Sequence, residues 1–124
     1  MIRIKTGIKF TETTKGLRAE MHRGDTVAFT VRMQDDEGVS IPFVPGDKIY
    51  FLVTEDPKLT TTLIHKEITD FPDGKALVNI LSADTKPLQF NREYHQTIRA
   101  VLLSGLVRTL AYGPFVVLEE VPYE

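Results

Sequence analysis

The sequence predicts an all-β fold, an antiparallel β-sandwich of about seven or eight strands. Three observations lead there: apolar residues recur with a period of two, turn-forming residues punctuate the chain every ~8 to 12 positions, and no stretch carries an amphipathic helical period. The 124 residues form one domain, 1–124, large enough to bury a core without a metal or a disulfide.

Residues 1–22 are an N-terminal segment expected to pack on the sandwich or on a neighbour. The alternation begins behind them. Val27, Phe29, Val31 and Met33 share one phase, with Ala28, Thr30 and Arg32 in the other, as in a strand with one buried face. "DDEGVSIPFVPGD" supplies acids, two Gly and two Pro, and turns the chain. In "DKIYFLVTE", Ile49, Phe51 and Val53 share a face, and the β-branched and aromatic content favours strand. "LIHKEI" places Ile64 and Ile68 around Lys66, "FPDGK" is a turn with Gly at positive φ, and Ala76, Val78 and Ile80 resume the alternation.

The one helical signal is "SADTKP", where Ser82 is placed to cap a single turn that stops before Pro87. A long strand starts at Glu93. Tyr94, Ile98, Ala100 and Leu102 form its core side, and His95, Thr97, Arg99, Val101 and Leu103 the other. Ser104-Gly105 as a two-residue hairpin loop would set Leu103 against Leu106 and Val101 against Arg108. Gly113-Pro114 interrupts, and "FVVLEEV" closes the chain as a final strand. The expected core is Val27, Phe29, Val31, Ile49, Phe51, Val53, Val78, Ile80, Tyr94 and Ile98. Tyr94 follows a stretch, "TKPLQFNRE", that reads as a corner between sheets. Its position resembles the tyrosine corner of immunoglobulin-like domains, and a half-buried strand aromatic explains it equally well.

Composition excludes most chemistry. With 15 basic against 17 acidic residues, no strong field attracts nucleic acid or an anionic membrane. The chain has no Cys, hence no disulfide framework, thiolate zinc site or cysteine nucleophile. "MIRIKTGIKF" lacks the apolar core of a signal peptide, and no window approaches the ~20 apolar residues of a membrane span. Export by its own signal is therefore not expected. Nucleophile elbows, zincin helices, phosphate-cradling loops and dinucleotide fingerprints are absent. His22, His65 and His95 have no ligand spacing, and "QDDEG" lacks the alternating oxygens of a calcium loop, reading instead as a solvated turn. No catalytic residue, metal or cofactor is assigned, and an enzyme is the least favoured class. The chain has no Trp, which thins the aromatic platform of a sugar-binding sandwich; a small carbohydrate- or ligand-binding module stays the alternative. Arg23-Gly24-Asp25 spells an adhesion tripeptide, but Gly-Asp just ahead of a strand is first of all a turn, because Gly tolerates positive φ and the Asp side chain bonds to nearby backbone amides.

The last third carries a surplus of apolar residues. On the expected register, one hairpin face joins the core, while Val101, Leu103, Leu106 and Leu110 form a second apolar face rimmed by Arg99 and Arg108. A strand pair in a sandwich has one core face, so this second face is expected to be covered by residues 1–20 or by another chain. Aliphatics bordered by arginine suit a protein interface. Arg99, Val101, Leu103, Leu106, Arg108 and Leu110 are the candidate interface.

From Arg23 to Val121 the chain resembles the immunoglobulin-like domains of phage tail and baseplate proteins, of the kind at the N-terminus of baseplate upper proteins. The resemblance is carried by "RGDTVAFTVRMQDDEG", "IPFVPGDKIYFLV", "DGKALVNI" and "YHQTIRAVL". It implies a non-enzymatic structural or adaptor protein in the virion tail, made in the bacterial cytoplasm and assembling with itself as a homo-oligomer or with other tail proteins. The chain lacks the long extension that often follows in baseplate proteins, which weighs against a fibre or receptor-binding role.

Overall fold

The computed structural model describes residues 7–58 and 61–119. The start of the expected N-terminal segment and the end of the expected final strand, residues 120 and 121, lie outside them.

The fold is all-β. Six strands form one sheet in the order β1 (Ile8–Thr13), β2 (Gly16–His22), β10 (Val107–Leu118), β9 (Glu93–Val101), β6 (Lys48–Thr54), β7 (Thr62–Ile68). A ribbon of β3 (Val27–Val31) and β8 (Ala76–Ile80) forms a second layer. One residue beyond β3 the chain enters β4 (Met33–Gln34), which pairs with β5 (Ser40–Ile41). Among the described residues every strand pair is antiparallel except β2 with β10, which run parallel. The ten strands among the described residues exceed the expected number because residues 8–22 are themselves a hairpin and the acidic loop contains a short one.

The period-two reading holds through the centre of the molecule. All ten expected core residues are buried in a single cluster. Phe29 on β3 joins the layers: its ring meets Phe51 on β6 edge-on at 5.4 Å and Phe10 on β1 at 5.2 Å. Phe51 in turn meets Phe115 on β10 at 6.3 Å. Such edge-to-face contacts add to the area these rings remove from water.

Residues 8–22 do not cover a face of the sheet, as the sequence reading allowed. They lengthen it, with Phe115 to Leu118 of β10 in register with Ala19 to His22 of β2. The buried residues of β2, Ala19 and Met21, thereby reach the core from a segment whose own sequence shows no clear alternation.

The crossing from the ribbon to the large sheet runs through α1 (Ser82–Thr85), a single turn. Ser82 is not its cap. The Asp84 carboxylate accepts the Leu81 N–H at 2.7 Å and pairs with Lys66 on β7 at 2.8 Å, so one acid caps the turn and fastens it to the sheet edge. Beyond α1, the Tyr94 hydroxyl accepts the backbone N–H of Gln89 at 2.9 Å. This is the tie of a preceding loop that the corner reading requires, and Arg92 lies over the same ring, 5.1 Å from its centre.

Candidate functional site

The hairpin between β9 and β10 differs from its expected form in a way that redraws the candidate interface. Leu102 N–H donates to Leu106 O, and Gly105 N–H to Leu102 O, each at 2.8 Å. The loop is therefore three residues, Leu103-Ser104-Gly105, with Gly105 at φ 94°. Glycine at positive φ in the third loop position is what such a loop requires. Val101 consequently pairs with Val107, not Arg108, and Arg108 pairs with Ala100. A bulge between Thr109 and Ala111 absorbs the extra residue, so that Ala111 opposes Ile98.

Residues predicted to share one face are thus divided. Arg99 and Val101 lie on the outer face with Thr109 and Val107; Arg108 belongs with Ala100 on the core side, and Leu110, at the bulge, packs against the core. Leu103 is the first residue of the loop, and Leu106 follows its last. The six residues form no single surface.

What the hairpin does form is an apolar end to the molecule. Leu103 N–H donates to Asp47 Oδ1 at 2.7 Å, and Val44 N–H donates to Asp47 Oδ2 at 2.9 Å, so one buried carboxylate holds the hairpin tip to the β5–β6 loop. Leu103 Cδ1 lies 2.7 Å from where a side chain on Gly46 would begin. The aliphatics gathered here are well exposed: Leu103 68%, Leu106 53%, Val44 46% and Ile41 39%. A groove of about 470 Å³ between Ile41, Val44, Leu102 and Leu103 adjoins a smaller one of about 260 Å³ that shares Ile41 and Leu102 and adds Leu106, Asp36 and Arg108. Monomers seldom leave such a contiguous apolar surface bare.

Polar structure borders it. The β4–β5 turn is organised by Asp35, whose Oδ1 accepts the N–H groups of Glu37 and Val39, each at 2.9 Å. Asp36 and Glu37 are exposed at its tip. Beside it lies a polar groove of about 540 Å³ between Thr30, Arg32, Gln34, Arg108 and Thr109.

A separate cleft of about 450 Å³ opens elsewhere on the large sheet between Lys15, Asp56, Glu93, His95, Tyr112 and Pro114. Lys15 pairs with Glu93 at 3.4 Å, and His95 lies 6.4 Å from the exposed Tyr112 ring. Partial burial holds the His95 pKa below its ordinary 6.5, against the opposing pull of Asp56. These residues come from four separate stretches of sequence, and no spacing announces them.

The remaining sequence candidates are dispersed. His22 Nδ1 lies 2.8 Å from Glu119 O, and His65 stacks on Tyr50. No group of three or more potential metal ligands forms among the described residues. Among them, too, no helix is long and apolar enough to cross a membrane. Arg23-Gly24-Asp25 is a turn between β2 and β3: Asp25 N–H donates to His22 O at 3.2 Å, Arg23 N–H to Leu118 O at 2.9 Å, and Gly24 N–H to the buried Thr85 hydroxyl at 2.8 Å. The Asp25 carboxylate takes no part in closing it, contrary to the expectation that this side chain would bond nearby amides. No protein-family model matches the chain, and no curated protein sequence does.

Proposed function

We propose that the protein is a non-enzymatic structural or adaptor component that works by protein–protein assembly, in the setting its sequence resemblance implies, a phage or prophage tail or baseplate. The observation that carries this reading is the contiguous aliphatic end formed by Ile41, Val44, Leu102, Leu103 and Leu106, which Asp47 fixes in place. A rigid apolar surface favours association because little conformational freedom is lost when it is covered. The immunoglobulin-like assignment is supported by the two-layered arrangement and by the Tyr94–Gln89 tie at the crossing between layers. Mass spectrometry of purified tail particles tests the reading. The chain is expected among their components, and its absence from particles made by cells that express it overturns the virion role.

A second reading, a small carbohydrate- or ligand-binding module, draws on one observation: Tyr112 is 55% exposed in the cleft beside His95. An exposed ring flanked by charged groups suits stacking against a sugar. A glycan array decides it, with binding lost in Tyr112→Ala as the supporting result and no glycan retained as the opposing one.

A further inference from the structure

We infer that the polar groove between the β3–β4 stretch and the start of β10 binds a small hydroxylated carboxylate, of the class of sugar acids. The groove shares no lining residue with the Tyr112 cleft, and the inference depends on neither functional reading above.

Unpaired arginines single the groove out. Among the described residues, Arg32, Arg99 and Arg108 make no ion pair or hydrogen bond, whereas Arg18 pairs with Glu20 at 3.0 Å, Arg92 lies 3.7 Å from Glu55, and Arg23 is also engaged. Arg32 and Arg108 line the groove, and Arg99 is the cross-strand neighbour of Thr109, which lines it too. In a chain whose charges nearly cancel, the fold has thus brought its free guanidinium groups to one place. Each presents a planar fork of N–H donors that matches a carboxylate.

The rest of the lining narrows the ligand. Thr30, Thr109 and Gln34 add two hydroxyls and an amide that have no partner among the described residues. Asp35 lines the groove as well, and Asp36 lies beside Arg108 in the adjoining one. Neither acid forms an ion pair with these arginines. Asp35 Oδ1 accepts the amides of its own turn, and its Oδ2 has no partner among the described residues. Two arginines and one acid favour a ligand with a single negative charge, and Asp35 Oδ2 is an acceptor awaiting a donor. A molecule that carries one carboxylate and several hydroxyls supplies both. Its carboxylate meets the arginines, while its hydroxyls donate to Asp35 and bond with the Thr and Gln side chains. A neutral sugar leaves the arginines unmatched, and a dianion such as phosphate brings its second charge up to Asp35 without a donor to offer. The volume of about 540 Å³ falls within the range of small-molecule sites, roughly 300 to 1,000 Å³.

The test is a nuclear magnetic resonance titration of the whole chain with D-glucuronate, with glucose, acetate and inorganic phosphate as comparisons. Glucuronate should shift the amides of residues 30–35 and 108–110 saturably, and bind more weakly at high salt. Glucose should leave them unmoved, and acetate and phosphate should bind at least about tenfold more weakly than glucuronate. Arg32→Gln/Arg108→Gln alters two exposed positions, so the variant is expected to melt like the unaltered protein and to bind glucuronate at least about tenfold more weakly. The map of shifts on the unaltered protein locates the ligand whether or not the variant folds. The proposal is overturned by the absence of a saturable shift, by glucose or phosphate binding as tightly as glucuronate, by shifts centred on the Tyr112 cleft, or by undiminished binding to the folded variant.

Discussion

Gln96 on β9 donates from its side-chain amide to the backbone carbonyl of Leu17, at the start of β2, across a 2.9 Å bond that passes over the strand between them. It can do so because the residue it crosses on β10 is Gly113, its cross-strand neighbour. A Cβ on Gly113 would sit 2.6 Å from the Leu17 amide nitrogen and against its carbonyl group. The missing side chain therefore does two things: it lets β2 approach, and it leaves a path for the amide.

Gly113→Ala is accordingly expected to destabilise the fold by about 1 to 3 kcal/mol, the usual cost of forcing extra volume into a packed site, because the obstructing atoms are backbone and cannot rotate away. Gln96→Leu should cost far less. It loses one hydrogen bond, but it also removes a buried side-chain oxygen that has no partner among the described residues. These effects oppose each other, so the net change should stay within about 1 kcal/mol. Urea denaturation of both variants checks the ranking, and equal losses would contradict it.

Tyr94→Phe isolates the bond that ties the corner. The ring keeps its burial and its contact with Arg92, and only the acceptor for Gln89 N–H is lost. Gln89 is exposed and water can replace the hydroxyl, so the expected loss is about 0.5 to 1 kcal/mol. A loss above about 3 kcal/mol would point to a change in the core instead.

At the Arg23-Gly24-Asp25 turn, the structure shifts the sensitive position from the tripeptide to Thr85. Thr85→Val keeps the shape of a fully buried side chain but leaves the Gly24 amide without its acceptor, at an expected cost of about 1 to 3 kcal/mol. Asp25→Glu alters an exposed side chain that makes no bond in the turn, and its effect should fall within about 0.5 kcal/mol. Thermal melts of the two variants give the comparison; a larger loss from Asp25→Glu would restore the side-chain account of the turn.

His95 should impose an acid-side loss of stability. Its folded pKa lies below 6.5, chiefly through burial, so as pH falls through 6.5 the unfolded chain takes up the proton first. The unfolded state then binds more protons than the folded one, and stability declines until the pH passes below the folded pKa. His95→Gln, which cannot be protonated, should melt with a shallower pH dependence below about 6.5 than the unaltered protein. Superimposable pH profiles would remove His95 as the cause.

The alternation that predicted β3, β6, β8 and the start of β9 was legible because each strand buries one face, and a period of two survives any choice of partner. Pairing is another matter. Ser104-Gly105 looked like a two-residue loop, yet Gly105 takes the third position of a three-residue one, and that single displacement reassigns Arg108 and Val107. The bulge at Leu110 then restores the expected pairing of Ala111. Neither event leaves a mark in hydrophobic spacing, so six residues that seemed to share a face were dispersed. The apolar end was half visible in Leu103 and Leu106; its other half, Ile41 and Val44, lies in a loop read only as turn, and it joins through Asp47, an acid that resembled any other. The β1–β2 hairpin escaped notice because its outer strand is mostly exposed and shows little contrast between faces.

The parallel pairing of β2 with β10 also sets the order in which the molecule can be made. β10 is the last strand among the described residues, and it stands between β2 and the rest of the large sheet. On the ribosome, the first hairpin emerges before its docking edge exists and must wait until Val107–Leu118 has been made. Contacts between such distant segments slow folding, because loop closure is unfavourable before any of them forms. A nascent chain halted ahead of β10 would carry Ala19 and Met21 uncovered, and the interval before β10 arrives is when the protein is most exposed to misassociation.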